Sequence, residues 1–220
     1  MKVKKTYDYI HDTNIYLHQR SDMFRINTDT SLLANFMRVN EGETVMDIGT
    51  NNGALLLMAA TYHPAHLYGV EIQHDAAVLA KENLETQEVP FTILEGDARI
   101  LDLPGVNVVV CNPPYFKISE DSNLNESEAL KIARHECYLP FEDLCKKVSG
   151  CLQEKGRFYI VHRADRITEL ICMLQQHRLT VKKLQFVYDE NKDDAISVLI
   201  EAMKDAKPHV HVLQPIVLKR

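Results

Sequence analysis

Asn112, Pro113, Pro114 and Tyr115 stand in a row directly after the apolar run Val106 to Cys111. A short, continuous apolar run of this kind reads as a buried parallel strand. At its end, the side-chain oxygen of Asn112 and the carbonyl of Pro113 can both accept hydrogen bonds, which suits the turn to holding a planar NH2 group. The two prolines fix φ and stiffen the turn. Tyr115 adds a flat face for stacking, with Phe116 beside it. The chemistry on offer is the presentation of an amine or a primary amide with both hydrogens held. A proline-rich turn that merely ends a strand has the same composition.

A second constellation lies upstream, in Val45-Met46-Asp47-Ile48-Gly49-Thr50-Asn51-Asn52-Gly53-Ala54. It sits where a first strand turns into a first helix. Gly49 and Gly53 permit a tight turn and close approach of a ligand. Asn51 stands between them, and after glycine Asn is the residue that best tolerates positive φ. The spacing is not the G-x-G-x-x-G that a dinucleotide pyrophosphate requires. Glu71 ends the second strand, placed to accept from both hydroxyls of a ribose. Asp97, followed by Ala98, comes after the third. A lone acid at a strand end is usually a turn or helix cap. Acids after successive strands, followed by Asn112, point instead to one ligand site.

The elements that must position these residues alternate. Strands are expected at Thr44–Ile48, Leu67–Glu71, Phe91–Leu94, Val106–Cys111 and Arg157–Val161. Helices are expected at Ala54–Thr61, His74–Gln87, Pro140–Leu152 (with Gly156 marking its end) and Arg166–His177. Repeated βα units imply a mostly parallel sheet covered on both faces, an α/β fold. Thr180–Tyr188 and Ala195–Ala202 then follow as two strands with only Asp189 to Asp194 between them. That linker is too short for a crossover, so the pair must be antiparallel. A boundary near residue 40 divides an extension, 1–40, from a main domain, 41–220. The polar segment Lys117 to Glu128 is either a lid following the Asn-Pro-Pro-Tyr turn or a surface loop with no role.

Composition is that of an ordinary globular protein of 220 residues with a formal net charge of −6. No apolar run reaches membrane-spanning length, and Met1 to Tyr7 lack the apolar core of a signal peptide. A cytoplasmic protein that does not contact membranes is expected. The five cysteines form no C-x-x-C pair, which fits reduced thiols. His135, Cys137, Cys145 and Cys151 match no standard zinc spacing, so no metal is expected. The negative charge disfavours indiscriminate nucleic-acid binding. Local basic clusters (Lys2/Lys4/Lys5, Lys146/Lys147, His162/Arg163/Arg166, Lys182/Lys183, Lys219/Arg220) would form an RNA footprint only if gathered on one face.

The Asn-Pro-Pro-Tyr turn resembles the catalytic motif of methyltransferases that take a methyl group from S-adenosylmethionine (SAM). Those enzymes methylate the exocyclic amine of adenine or the amide of glutamine. The 45–54 run is similar to the D-x-G-x-G-x-G loop of class I SAM methyltransferases, with Asn51 in place of the middle glycine. Phe24 to Leu33 and Ala133-Arg134-His135-Glu136 look like segments of bacterial tRNA adenine-N6 methyltransferases. The resemblance is nearest to the family that modifies the adenine 3′ of the anticodon in a valine tRNA. It implies a Rossmann-like, seven-stranded, mostly parallel sheet closed by an antiparallel hairpin. It also implies a cofactor site of Asp47 (methionine amine), Gly49, Asn51 and Gly53 (loop), Glu71 (ribose), and Asp97 and Ala98 (adenine), with Thr28 and Asn112. Asn112, Pro113, Pro114 and Tyr115 would be catalytic, the cofactor SAM and the partner tRNA. Thr28 or Asp29 is equally suited to cap the helix carrying Leu32, Leu33 and Phe36. Glutamine-N5 methylation of a release factor, amino-methylation of ribosomal RNA and a non-catalytic SAM-binding scaffold are the alternatives. The oligomeric state is open.

Overall fold

The computed structural model describes residues 4–11, 13–113 and 139–219. Pro114, Tyr115, Phe116, the polar segment 117–128, residues 133–136 and Cys137 lie outside the described residues.

The chain opens with a hairpin, β1 (Lys5–Tyr9) and β2 (Tyr16–Arg20), followed by α1 (Thr28–Phe36). The βα units come next: β3 (Thr44–Ile48), α2 (Ala54–Ala60), β4 (His66–Glu71), α3 (His74–Leu84), β5 (Phe91–Glu95) and β6 (Val106–Cys111). After the undescribed stretch come α4 (Phe141–Cys151), β7 (Leu152–Arg163), a 3-10 turn, α5 (Ile167–Gln176), β8 (Leu179–Asp189) and β9 (Ser197–Lys204). Two short strands close the described chain, β10 (His211–Val212) and β11 (Ile216–Leu218).

The sheet order is β5-β4-β3-β6-β7-β9-β8. The first five of these are parallel, and β9 runs antiparallel between β7 and β8. This is the expected seven-stranded arrangement with its antiparallel closure. Two features extend it. β10 and β11 run in succession along the outer edge of β8, both parallel to it. The β1–β2 hairpin forms a separate two-stranded sheet.

Burial explains the layering. Val108, Val109 and Val110 at the centre of β6 are fully buried, as a strand covered on both faces requires. One face packs under α1, α2 and α3, in a core that includes Leu56, Ala80, Val108 and Tyr159. The other packs under α4 and α5, with Leu144, Val148, Leu170 and Leu174 facing Val109 and Ile160. Helix α2 is buried nearly all round because α1, α3 and the sheet enclose it. Ile10, Leu17, Leu33 and Met37, all from the expected extension, belong to the first of these cores.

Gly156 departs from its expected role. Helix α4 stops at Cys151 with Leu152 as its C-cap, and Gly156 lies inside β7. The register of β7 on β6 shifts between Val106 and Val108, an irregularity that Lys155 accommodates at φ 59°. A Cβ at Gly156 would sit 2.9 Å from the Gln153 carbonyl oxygen and 3.0 Å from that of Asn107. Both are backbone atoms and neither can swing aside. Gly156→Ala is therefore expected to destabilise the fold by roughly 1–3 kcal/mol through overpacking. Urea unfolding should show a lower midpoint with an unchanged slope; a midpoint equal to wild type would contradict the steric account.

Candidate active site

Parallel strands deliver their carboxyl ends to one rim of the sheet, and the β3–β6 ends carry the expected site residues. A single cleft is lined by Asp47, Gly49, Asn51, Glu71, Asp97, Ala98, Asn112 and Pro113. Gly53 does not line it. It supports the loop as the N-cap of α2 at φ 81°, where a Cβ would meet the Ala80 backbone at 3.5 Å. Gly49 (φ 79°) and Asn51 (φ 49°) both adopt the left-handed conformation, so Asn51 does what the missing glycine would do.

Backbone donors tie this loop to the next strand. Gly49 and Thr50 donate their N–H groups to the Val70 carbonyl at 2.8 and 3.0 Å. Glu71 accepts from the Asn51 N–H through Oε2 and from the Gln73 N–H through Oε1, each at 2.9 Å. The carboxylate of Glu71 is thereby fixed at the cleft wall with further lone pairs to offer. Asn51 uses its side chain as well. Its Nδ2 donates to the Phe24 carbonyl at 2.7 Å, pinning the segment before α1 against the loop. No glycine could make that bond.

Asp47 is the electrostatic anomaly of the site. It is buried, and its Oδ1 has no hydrogen-bond partner among the described residues; the same holds for Thr50 Oγ1 and Asn52 Nδ2. Burial pushes its pKa up to about 7, and the charge of Glu71 adds to the rise. The Thr50 hydroxyl opposes it without meeting hydrogen-bond geometry. An unsatisfied buried carboxylate is costly, and an incoming cation relieves it. Among the described residues, three carboxylates line the cleft and one arginine, Arg25, which is paired with Asp8 at 2.9 Å. The lining therefore suits a ligand with net positive charge, as SAM is with its sulfonium and ammonium groups.

Asp97 is less free. Arg99 forks onto it, with Nη2 at 2.6 Å from Oδ2, and this side-chain bond holds the Asp97 carboxyl below its ordinary range. An adenine amine would share the carboxylate with Arg99. Ile72, Ala98 and Leu139 supply apolar lining nearby, and Ile72 leaves 40% of its surface exposed.

The entrance to α1 differs from expectation. Asn27, not Thr28 or Asp29, is the N-cap, and its side chain accepts from the Thr30 N–H. Thr28 is exposed and does not line the cleft; Phe24, Ile26, Asn27 and Thr30 do. Asn112 Nδ2 donates to Thr30 Oγ1 at 3.0 Å. Thr30 and Asn27 were hidden in the sequence because capping alone accounts for Ser, Thr and Asn at a helix start. Asp29 turns elsewhere, accepting from the Ser197 hydroxyl at 3.3 Å.

Beyond the cleft, Cys111 at the end of β6 pairs with Ile160, and His162 lies two residues further along β7. His162 is buried, and burial pushes its pKa down to about 4, with the nearby Arg166 charge adding to the fall. It carries no charge at neutral pH and adds nothing to the expected basic cluster. Arg163 and Arg166 are ion-paired with Asp165 and Glu169. Cys145 and Cys151 are buried thiols, pushed up to about 12 and about 11 by burial. Among the described residues no cluster of three or more His, Cys, Asp or Glu could hold a metal ion.

Comparison with known proteins points the same way. Residues 9–188 match the methyltransferase small domain family. A tRNA1(Val) (adenine(37)-N6)-methyltransferase of Pedobacter heparinus is 30% identical over 208 residues, covering 90% of this chain and 85% of the relative. One of the same name from Aliivibrio salmonicida is 28% identical over 180 residues, covering 80% and 76%. Among solved structures, a T. thermophilus 16S rRNA N2 G1207 methyltransferase superposes with a TM-score of 0.64 at 19% identity, over 92% of this chain and 50% of that one. A predicted O-methyltransferase of Agrobacterium tumefaciens gives 0.64 at 19%, over 86% and 87%. At those identities the structures speak to the fold.

The raised pKa of Asp47 has a consequence for stability. Between about pH 4 and 7 the native state holds a proton that the unfolded state has released, so this group's contribution to stability is full below pH 4 and is lost as pH rises through 7. Asp47→Asn removes that loss. The ligand-free variant is expected to melt higher than wild type at pH 8 and at an equal or lower temperature at pH 4. A uniform drop at both pH values would show that Asp47 is instead a structural anchor.

Proposed function

The chain belongs to the methyltransferase small domain family, and from that premise we propose that it transfers a methyl group from S-adenosylmethionine to the exocyclic N6 amine of an adenine in tRNA, the adenine 3′ of the anticodon of a valine tRNA. The observation that carries this reading is the placing of Asn112 and Pro113 in the wall of the same cleft as Asp47, Glu71 and Asp97. The names of the relatives supply the tRNA and the position. No described helix is long and apolar enough to cross a membrane. The reading places the protein in the cytoplasm with tRNA as its partner.

When bound, SAM supplies an electrophilic methyl group on a positively charged sulfur. The rest is the work of this chain. Asp47 would meet the methionyl ammonium, Glu71 the ribose hydroxyls, and Asp97 and Ala98 the adenine ring, over the loop of Gly49, Asn51 and Gly53. The first forty residues would close over this site, with Phe24, Ile26 and Asn27 in its wall.

The amine of adenine is a poor nucleophile because its lone pair is delocalised into the ring. Asn112 Oδ1 and the Pro113 carbonyl would accept its two hydrogens, drawing the nitrogen out of conjugation and aiming the lone pair. The same two acceptors sit where positive charge develops on that nitrogen. No strong base is required, since a methylated arylammonium is very acidic. The target base must leave its stack to enter the cleft. Pro114 would stiffen the turn, and Tyr115 would stack on the flipped base, a contact worth roughly 1–3 kcal/mol.

Purified protein incubated with labelled SAM and unmodified tRNA, ribosomal RNA or a release factor tests the reading. Label is expected as N6-methyladenosine in tRNA, and label only in the release factor would move the chain to glutamine chemistry. Asn112→Ala should lower turnover by about a hundredfold or more, with calorimetric SAM affinity within about tenfold of wild type. Near-normal turnover would remove Asn112 from catalysis.

The pH dependence follows from Asp47. A ligand ammonium needs the ionised carboxylate, so SAM affinity should fall about tenfold per unit as pH drops below 7. It should decline again as the free amine of SAM loses its proton near pH 8. Asp47→Asn should erase the acid limb; an acid limb that survives would assign it to another group.

A further inference from the structure

An asparagine side chain has two faces of opposite character. Its oxygen accepts and its NH2 donates, and the wrong sense at Asn112 would present two hydrogens to an amine that already carries two. Something must set the sense. The structure supplies a chain of hydrogen bonds that does so, starting from a backbone group whose polarity is fixed.

Asn27 caps α1, and its Oδ1 accepts the Thr30 backbone N–H at 2.9 Å. A backbone N–H can only donate, so oxygen, not nitrogen, stands at that position of Asn27. The Thr30 hydroxyl lies 3.0 Å from the same Oδ1. Asn27 Oδ1 carries no proton, so the hydroxyl hydrogen must point toward it. With its only hydrogen committed, Thr30 Oγ1 has nothing but lone pairs for its other neighbour, Asn112, at 3.0 Å. That neighbour must then present Nδ2. Turning Asn112 over would set two hydrogen-free oxygens against each other or pull the hydroxyl off Asn27. Thr30 leaves only 9% of its surface exposed, so its hydroxyl has little water to turn to in either arrangement.

We propose that Thr30 is a positioning residue that fixes which way round the Asn112 amide is held, and so reserves Oδ1 for the substrate amine. The proposal rests on the reading of Asn112 as acceptor. Thr30 touches no reacting atom in this scheme; it acts through Asn112. The order of causes runs from a helix cap to a hydroxyl to an amide, the last link spanning 82 residues of sequence.

The test separates this role from simple packing. Thr30→Val keeps the shape and the backbone N–H that Asn27 caps, but loses the hydroxyl. At saturating SAM and tRNA, kcat should fall about tenfold or more, with KM for tRNA and Kd for SAM within about threefold. Thr30→Ser restores the hydroxyl and should recover kcat to within about threefold of wild type. In an Asn112→Asp background the carboxylate offers oxygen in either sense. There Thr30→Val should change the remaining activity by less than about twofold. Equal losses in both backgrounds, or no rescue by serine, would overturn the proposal.

A second readout is independent of which acceptor is methylated. In side-chain amide NMR, the one Asn112 Nδ2 proton bonded to Thr30 Oγ1 should exchange slowly in wild type and in Thr30→Ser, and quickly in Thr30→Val. Fast exchange in wild type would overturn the positioning role. Slow exchange with no methylation of tRNA would uphold that role and refute the proposed substrate.

Discussion

Parallel pairing is the constraint on which the rest depends. A parallel strand can only be followed by a crossover, and each crossover returns the chain so that every strand ends on the same side. β3, β4 and β6 therefore bring Asp47, Glu71 and Asn112 to one rim although the chain separates them widely. The backbone bonds from Gly49 and Thr50 to Val70 lock the first loop to the second strand before any ligand is involved. The glycine loop, the acids and the proline turn need no contact with one another to be co-located. The sheet does it for them.

That rim is also where the fold is least content with itself. Asp47 keeps an unsatisfied buried oxygen, Asn51 takes up a left-handed conformation, and Thr50 and Asn52 leave polar atoms without partners among the described residues. Such groups are tolerated only because the two apolar cores, one on each face of the sheet, hold the strands in place. Local consistency between pattern and structure is high in the strand centres and drops at their carboxyl ends. Departures of that kind are expected where a ligand completes the structure.

Much of this was legible in the chain. The βα alternation could be read because its strands contain short apolar runs, three of them stopped by Gly or Glu, and the antiparallel closure because Asp189 to Asp194 is too short to cross over. The first hairpin could not. Its inner face holds Leu17 beside Gln19 and its outer face is rich in tyrosine, so the period-two signal is weak. Gly156 reads as a helix stop, and its true constraint is the close approach of its own strand and of β6 at the Gln153 and Asn107 carbonyls, which no local pattern encodes. Thr28 drew notice by resemblance, whereas Asn27 and Thr30 face the cleft. Cap residues and site residues share one vocabulary of Asn, Ser and Thr, and only the helix start decides which is which.

The tail strands β10 and β11 bear on how the molecule behaves in a crowd. The outer edge of β8 would present a long row of unpaired main-chain groups to any passing chain. His211–Val212 and Ile216–Leu218 occupy that row instead, in two short pieces separated by Leu213, Gln214 and Pro215. The new border is broken, and the proline offers no N–H to a visitor. A sheet terminated in this way is a poor template for its own copies, so the seam that closes the fold also guards against self-association through that edge.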